Sequence, residues 1–231
     1  VVFDKKQGRI ISYIFKNKEL LKDGKGPKPN FWRALTDNDS GNQMYKHNIE
    51  WKKASLFSEV EEIEVKKLEN NIIELNIKYN LPGVNTKFHS SYQISGNGVI
   101  QIDNTLFETD YKGDIPRIGM RMQIPKEYQN MIYFGRGPWE NYQDRNTSAF
   151  IDLYKSKVSE QYVPYIRPQE NGYKTDVRWL SLSNNSNDGL LIVAKNTLQG
   201  LGVSALHMPN EDFDTTAGLN YGDDETVETI Y

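Results

Sequence analysis

Eleven consecutive residues, Gly135-Arg136-Gly137-Pro138-Trp139-Glu140-Asn141-Tyr142-Gln143-Asp144-Arg145, set chemistry-bearing side chains at close spacing. Two glycines and a proline demand a tight, irregular backbone, and Gly137, preceding proline, is pushed to an extended conformation. Into that turn are packed two aromatics, two carboxylates, two amides and two arginines. Glu140 and Asp144 can accept hydrogen bonds from sugar hydroxyls, and Trp139 and Tyr142 offer flat apolar faces to a pyranose ring. The same residues also suit a structural Ω-loop, with Arg145 paired to Asp144 and Trp139 filling a hydrophobic gap. From the residues alone the two readings stand level. Gly135-x-Gly137 is no dinucleotide fingerprint, because Glu140 takes the third glycine position and no helical pattern follows.

A second cluster is Pro164-Tyr165-Ile166-Arg167-Pro168-Gln169-Glu170-Asn171-Gly172. Two prolines stiffen it and Asn171-Gly172 marks a turn. Glu170 can bind a hydroxyl or hold Arg167 or Arg178; with Asn171 and Arg178 it forms a candidate secondary polar site, although a buried structural salt bridge is the commoner fate of such a glutamate. A third cluster runs from Asn30 to Asp39. Asp37, Asn38 and Asp39 suggest calcium, but the EF-hand pattern fails, with Asn42 at the required glycine and Asn48 at the twelfth ligand position. Phe31 and Trp32 are expected to anchor that segment in the core while Asp37 or Asn38 caps a turn.

Other chemistries are disfavoured. His47, His89 and His207 are scattered without metal-ligand spacing, so no metal site is expected. No cysteine is present, and no G-x-S-x-G elbow supports a serine hydrolase. Glu140 and Glu170 are a carboxylate pair in principle, but glycoside hydrolysis requires a defined separation that sequence does not provide.

The elements that must position these clusters read as strands. Ile73, Leu75, Ile77 and Tyr79 alternate with polar residues, as do Ile100, Ile102, Asn104 and Leu106, and Ile118, Met120, Met122 and Ile124. Turn signals fall at Gln7-Gly8, Glu69-Asn70-Asn71, Ser95 to Gly98, and Asn184 to Gly189. Short helices are expected only within Ser40 to Lys53 and Pro125 to Gln129. Asp23 to Trp51 and Gly135 to Gly172 read as long and strand-poor. The expected fold is all-β, an antiparallel sandwich, with residues 1–231 forming a single domain. The 231 residues carry 28 basic and 31 acidic side chains, a net charge of −3, so neither nucleic acid nor a membrane is an expected partner. The chain opens at Val1 without a leader and stops after the polar stretch Asn210 to Thr229. It reads as an excerpt of a longer protein, of cytoplasmic or periplasmic location, whose signal peptide, if any, lies upstream.

Taken in order, the three clusters resemble the family patterns N-F-W-R-A-P-x-D-N-D, G-x-G-P-x-E-N-Y-x-D-R and P-Q-E-N-G. They occupy Asn30 to Asp39, Gly135 to Arg145 and Pro168 to Gly172, with Leu35 in place of the usual proline. The chain is similar over nearly its whole length to the C-terminal, small-chain domain of glycoside hydrolase family 2 β-galactosidases. The resemblance implies a large antiparallel supersandwich like that of galactose mutarotase, lacking its last strands and packed on a separate (β/α)8 barrel. It implies a retaining enzyme, acting on terminal β-D-galactosides such as lactose, whose catalytic carboxylates lie outside this chain. The loop would be a mobile element at the active-site rim, with Gly135, Gly137 and Trp139 in its frame. Gly137 would be its flexible point, Glu140 would reach toward the site, and Asn141, Asp144 and Arg145 would hold its form. By the same resemblance the chain needs no cofactor, while Mg2+ or a similar ion and Na+ would serve other domains of a homo-oligomeric parent. The late G-G-D-x-S-W segment of the family is not found before Tyr231. Two rival readings are a stand-alone carbohydrate-binding sandwich using Trp139, Tyr142 and Trp179, and a mutarotase-like epimerase.

Overall fold

Period-two patterning produces antiparallel sheets in the computed structural model, which describes residues 1–195, 199–214 and 229–231. The fold is all-β. It divides into two compact units, the first comprising Val1–Arg33 and Asp39–Met122 and the second Ala34–Asn38 and Gln123–Tyr231.

In the first unit the chain runs through β1 (Val2–Asp4), β2 (Arg9–Ser12), β3 (Ile14–Phe15), β4 (Lys18–Glu19) and β5 (Lys28–Asn30). Three short helices follow along the chain: α1 (Asp37–Gly41), α2 (Met44–His47) and α3 (Ile49–Leu56). Then come β6 (Glu59–Lys67), β7 (Ile73–Leu81), β8 (Thr86–Ile94), β9 (Ile100–Leu106) and β10 (Gly119–Arg121). Strands β6 to β9 form an antiparallel meander in sequence order, while β1 pairs with β2, β3 with β4, and β5 with β10. The alternation in β7 buries Leu75, Ile77, Tyr79 and Leu81, and β8 answers with Phe88 and Tyr92. Phe31 joins this core, 5.1 Å from the Phe88 ring and 5.6 Å from that of Trp51 in α3. The anchoring role expected of Phe31 and Trp32 is met, since both are buried.

The second unit holds β11 (Ile124–Pro125), β12 (Asn130–Gly137), β13 (Phe150–Lys157), β14 (Lys174–Val177), β15 (Trp179–Ser183), β16 (Gly189–Val193) and β17 (Leu201–Val203). After α4 (Asn210–Phe213), β18 (Thr229–Ile230) completes it. Its main sheet is antiparallel in the order β13-β12-β15-β16, with β14 paired to β17 and β11 to β18. Met131, Tyr133, Leu180 and Leu182 point inward from it, and Ala34, Leu206, Met208 and Phe213 form a second buried cluster. On the opposite sheet face, pairing aligns Leu153, Phe134, Trp179 and Val193 in one row across all four strands, with Ile132 and Leu191 in the next. Leu153, Val193 and Leu191 are at least half exposed.

Two expectations change. The run from Ile118 to Ile124 is not one strand: it splits into β10 and β11, which pair with β5 and β18 respectively, and Ile118 is exposed. The stretch from Gly135 to Gly172 is not strand-poor, because it begins in β12 and contains all of β13. This edge strand mixes Phe150, Ile151 and Leu153 with Asp152 and Lys155, so no clean alternation announced it. The short helix expected within Pro125 to Gln129 is present as a single 3-10 turn, Lys126–Tyr128. Of the polar stretch from Asn210 to Thr229, residues 210–213 form α4 and 215–228 lie outside the described residues.

Candidate functional site: a clamped loop between β12 and β13

The Gly135–Arg145 motif begins inside β12 and continues as the loop that returns the chain to β13. Both glycines are required by close approach, since neither has a positive φ. A Cβ on Gly135 would lie 2.8 Å from the Val177 backbone, and one on Gly137 would strike the Tyr133 hydroxyl and the Tyr154 ring. Gly137 pairs with Phe150 in the ladder, and the Gly137–Pro138 peptide is cis.

Asn141 is the hub of the turn. Its Nδ2 donates to the carbonyls of Arg136 (3.1 Å) and Trp139 (3.0 Å), and its Oδ1 accepts from the amide (3.0 Å) and hydroxyl (2.5 Å) of Thr175. Its backbone amide donates to the Tyr173 carbonyl at 2.8 Å. One side chain thus closes the turn on itself and fastens it to β14. Arg136 fixes the other end: Nη1 donates to the carbonyls of Asn146 (3.3 Å) and Ala149 (2.8 Å), while Nε pairs with Asp176 at 2.5 Å. Asp176 reaches this position from a left-handed backbone, φ 57°, where the β14–β17 register shifts.

Glu140 forms the third clamp and joins two clusters that are separate in sequence. Its side chain is 7% exposed. Oε1 accepts from Arg145 (2.6 Å) and from the Tyr165 hydroxyl, and Oε2 accepts from the Gly172 amide at 2.8 Å. The Gly172 φ of +72° turns that amide, and a Cβ there would meet the Gln161 carbonyl at 2.8 Å. Asn171 holds the neighbouring backbone, accepting from the Val163 amide (3.2 Å) and donating to the Gln169 carbonyl (3.0 Å). Lys174 is 2% exposed, with Nζ donating to the Gly172 carbonyl at 3.3 Å. Burial lowers the Lys174 pKa to about 8, against an opposing pull from the Glu140 charge. Burial, and then the hydrogen bond to Glu140, raise that of Tyr165.

The residues expected at the site are partly reunited. Glu140, Asn141 and Arg145 converge with Tyr165 and Gly172. Asp144 does not join them: it sits exposed in the two-residue turn between Tyr142 and Arg145. The alternative pairing of Arg145 with Asp144 is replaced by Arg145–Glu140, because the turn directs Asp144 to solvent. Trp139 fills no gap; it is 76% exposed. Tyr142 stacks on Tyr173 at 5.4 Å, and the Arg145 guanidinium lies 4.7 Å from its ring centre. In the secondary cluster Glu170 and Asn171 are buried, but Arg178 turns to the Asp176 carbonyl and Arg167 pairs with Asp37 at 3.2 Å. Thr175, Asp176 and Lys174 drew no attention in the sequence, since β14 has neither alternation nor a recognisable motif. Among the described residues no three His, Asp or Glu side chains gather as a metal-ligand set.

Comparison with known proteins agrees with the motif order. Residues 1–223 match the family described as β-galactosidase small chain. A β-galactosidase of Priestia megaterium is 35% identical over 230 residues, covering 100% of this chain and 22% of that protein. The β-galactosidase of Lactobacillus delbrueckii subsp. bulgaricus is 30% identical over 183 residues (79% of this chain, 18% of that protein). That of Halalkalibacterium halodurans is 28% identical over 194 residues (82% and 19%). The chain spans about a fifth of the length of the curated relatives it matches. With its three clusters in family order and the family match running from residue 1 to 223, the chain belongs to the β-galactosidase small-chain family.

Proposed function

We propose that this chain is a segment of a larger retaining β-galactosidase that hydrolyses terminal β-D-galactosides such as lactose, and that it supplies a loop at the rim of the active site. In such an enzyme one carboxyl protonates the leaving oxygen and a second forms the glycosyl-enzyme intermediate. Glu140 suits neither role, because Arg145, Tyr165 and the Gly172 amide already occupy its oxygens. The catalytic carboxylates therefore belong elsewhere in the polypeptide, in a (β/α)8 barrel on the family resemblance.

The observation that carries the rim assignment is Trp139. A large indole is held 76% exposed on a loop whose backbone is clamped at three points. Exposing so much apolar surface while fixing its position is poor design for stability and good design for stacking on a sugar. The apolar sheet face bearing Leu153, Phe134, Trp179 and Val193 fits the same account. Its occupant is another segment of the same polypeptide, consistent with a chain spanning only a fifth of its relatives' length.

Trp139→Ala in the full-length enzyme is expected to leave thermal stability within about 0.5 kcal/mol, as for an exposed site. Its kcat/KM on a β-galactoside should fall by roughly tenfold, the loss of about 1.4 kcal/mol of transition-state binding. Unchanged kinetics in a folded variant would remove Trp139 from the site.

A further inference from the structure

The first unit contains a cleft of about 420 Å³, lined by Lys6, Gln7, Arg9, Lys28, Ser58, Glu59 and Val60. Three cations face one carboxylate there, in a chain whose net charge is −3. Their positions are fixed by the fold. Lys6 and Gln7 belong to the β1–β2 turn, whose backbone amides are held by the Asp4 carboxylate (2.8 and 3.0 Å). Gly8 closes that turn at φ +66°, with Tyr79 donating to its carbonyl. Arg9 extends from β2, Lys28 from β5, and Ser58 stands just before β6.

The donors in this cleft are under-used. Arg9 spends Nη2 on the Gly26 carbonyl, and among the described residues its Nε and the Ser58 hydroxyl are buried without a hydrogen-bond partner. Among the described residues Lys28 donates only to the Leu56 carbonyl, at 3.4 Å. Among the described residues neither Arg9 nor Lys28 has an ion pair. Burial lowers the pKa of both, and the Arg9 charge lowers that of Lys28 further. Two half-buried like charges lining one cleft form an unfavourable arrangement that an anion between them would offset. A guanidinium and an ammonium lining the same cleft match the charge and the acceptor oxygens of a phosphate.

We infer that this cleft binds a phosphate group, with the Arg9 guanidinium and the Lys28 ammonium as its direct donors and Lys6 at the rim. This site is independent of the glycosidase reading. The cleft is larger than inorganic phosphate, so both free phosphate and a phosphorylated sugar satisfy the chemistry.

Calorimetric titration of the chain at constant ionic strength, with inorganic phosphate in one arm and a hexose monophosphate in the other, tests it. Saturable binding with a dissociation constant on the order of 1 mM or tighter is expected in at least one arm. Tighter binding of the hexose monophosphate would identify a phosphorylated metabolite; equal binding would identify phosphate itself. Lys28→Met should weaken binding by about tenfold, the strength of one charge-assisted hydrogen bond. Arg9→Gln should weaken it further, and Lys28→Met decides the matter if loss of the Arg9–Gly26 bond unfolds that variant. No saturable heat in either arm, or binding unchanged by Lys28→Met, would overturn the site.

Discussion

Asn141→Ala should destabilise the second unit by about 2–4 kcal/mol, the range for a buried polar hub whose partners are left without bonds. Truncation removes two donors and one doubly used acceptor at once. It strands the amide and hydroxyl of Thr175, which is fully buried, and the carbonyls of Arg136 and Trp139. Asn141→Asp is the sharper probe. It keeps the shape and the contacts to Thr175 but sets a carboxylate oxygen against the two carbonyls. It should be nearly as damaging, which distinguishes lost hydrogen bonds from lost volume. Urea midpoints of the three proteins, compared at constant slope, measure both effects. A loss below about 0.5 kcal/mol in either variant, the level of an ordinary surface change, would show that the loop does not depend on this side chain.

Glu140→Gln should cost about 2–3 kcal/mol near pH 7, and that loss should shrink toward pH 9. The amide retains the side-chain volume but loses the charge that faces Arg145, and one of the two positions that accept from Tyr165 and Gly172 becomes a donor. It also removes the anion opposing the desolvation of Lys174. The pKa of that lysine is depressed from 10.5 to about 8. Its buried cation therefore weighs against folding fully below pH 8, and this penalty is relieved as pH rises from 8 to 10.5. Without the Glu140 charge the cation is harder still to hold, so the variant loses most where Lys174 is protonated and least where it is neutral. The contact with Arg145 adds less, because that guanidinium is half exposed and screened. Chemical denaturation of wild type and variant at pH 7 and 9 reads the effect directly. A loss that grows with pH would contradict the coupling of Glu140 to Lys174.

Much of this fold is legible in side-chain alternation, but only where one sheet face is buried. The period in Ile73 to Tyr79 marks β7 correctly because its inward residues meet the core. It misleads at Ile118 to Ile124, where apolar spacing continues while the backbone changes pairing partner from β5 to β18. It is silent for β13, an edge strand with apolar residues on its open face, and for β14, whose left-handed Asp176 interrupts any period. The turn at Asn184 to Gly189 is legible because Asn184 Oδ1 accepts from the Ser186 (2.9 Å) and Asp188 (3.1 Å) amides, a local bond that residue types alone foretell.

The candidate site follows the same division. Residue types single out Glu140, Asn141 and Arg145, and those three do shape the loop. Their partners Tyr165, Gly172 and Thr175 lie 20 to 34 residues away in sequence. Such contacts arise from strand pairing, which no local pattern encodes. Asp144 illustrates the limit from the other side: its type suits a site, but a two-residue turn points it to solvent.

The central claim, that this chain is part of a retaining β-galactosidase and not itself the catalyst, rests most directly on one comparison. The full-length polypeptide and the 231-residue chain are each given an aryl β-D-galactoside, and the galactose first released is followed by proton NMR. The full-length protein is expected to release the β-anomer before mutarotation, and the chain alone to release nothing. First release of the α-anomer would contradict the retaining mechanism. No hydrolysis by the full-length protein, or turnover by the isolated chain, would contradict the assignment of the catalytic carboxylates to another part of the polypeptide.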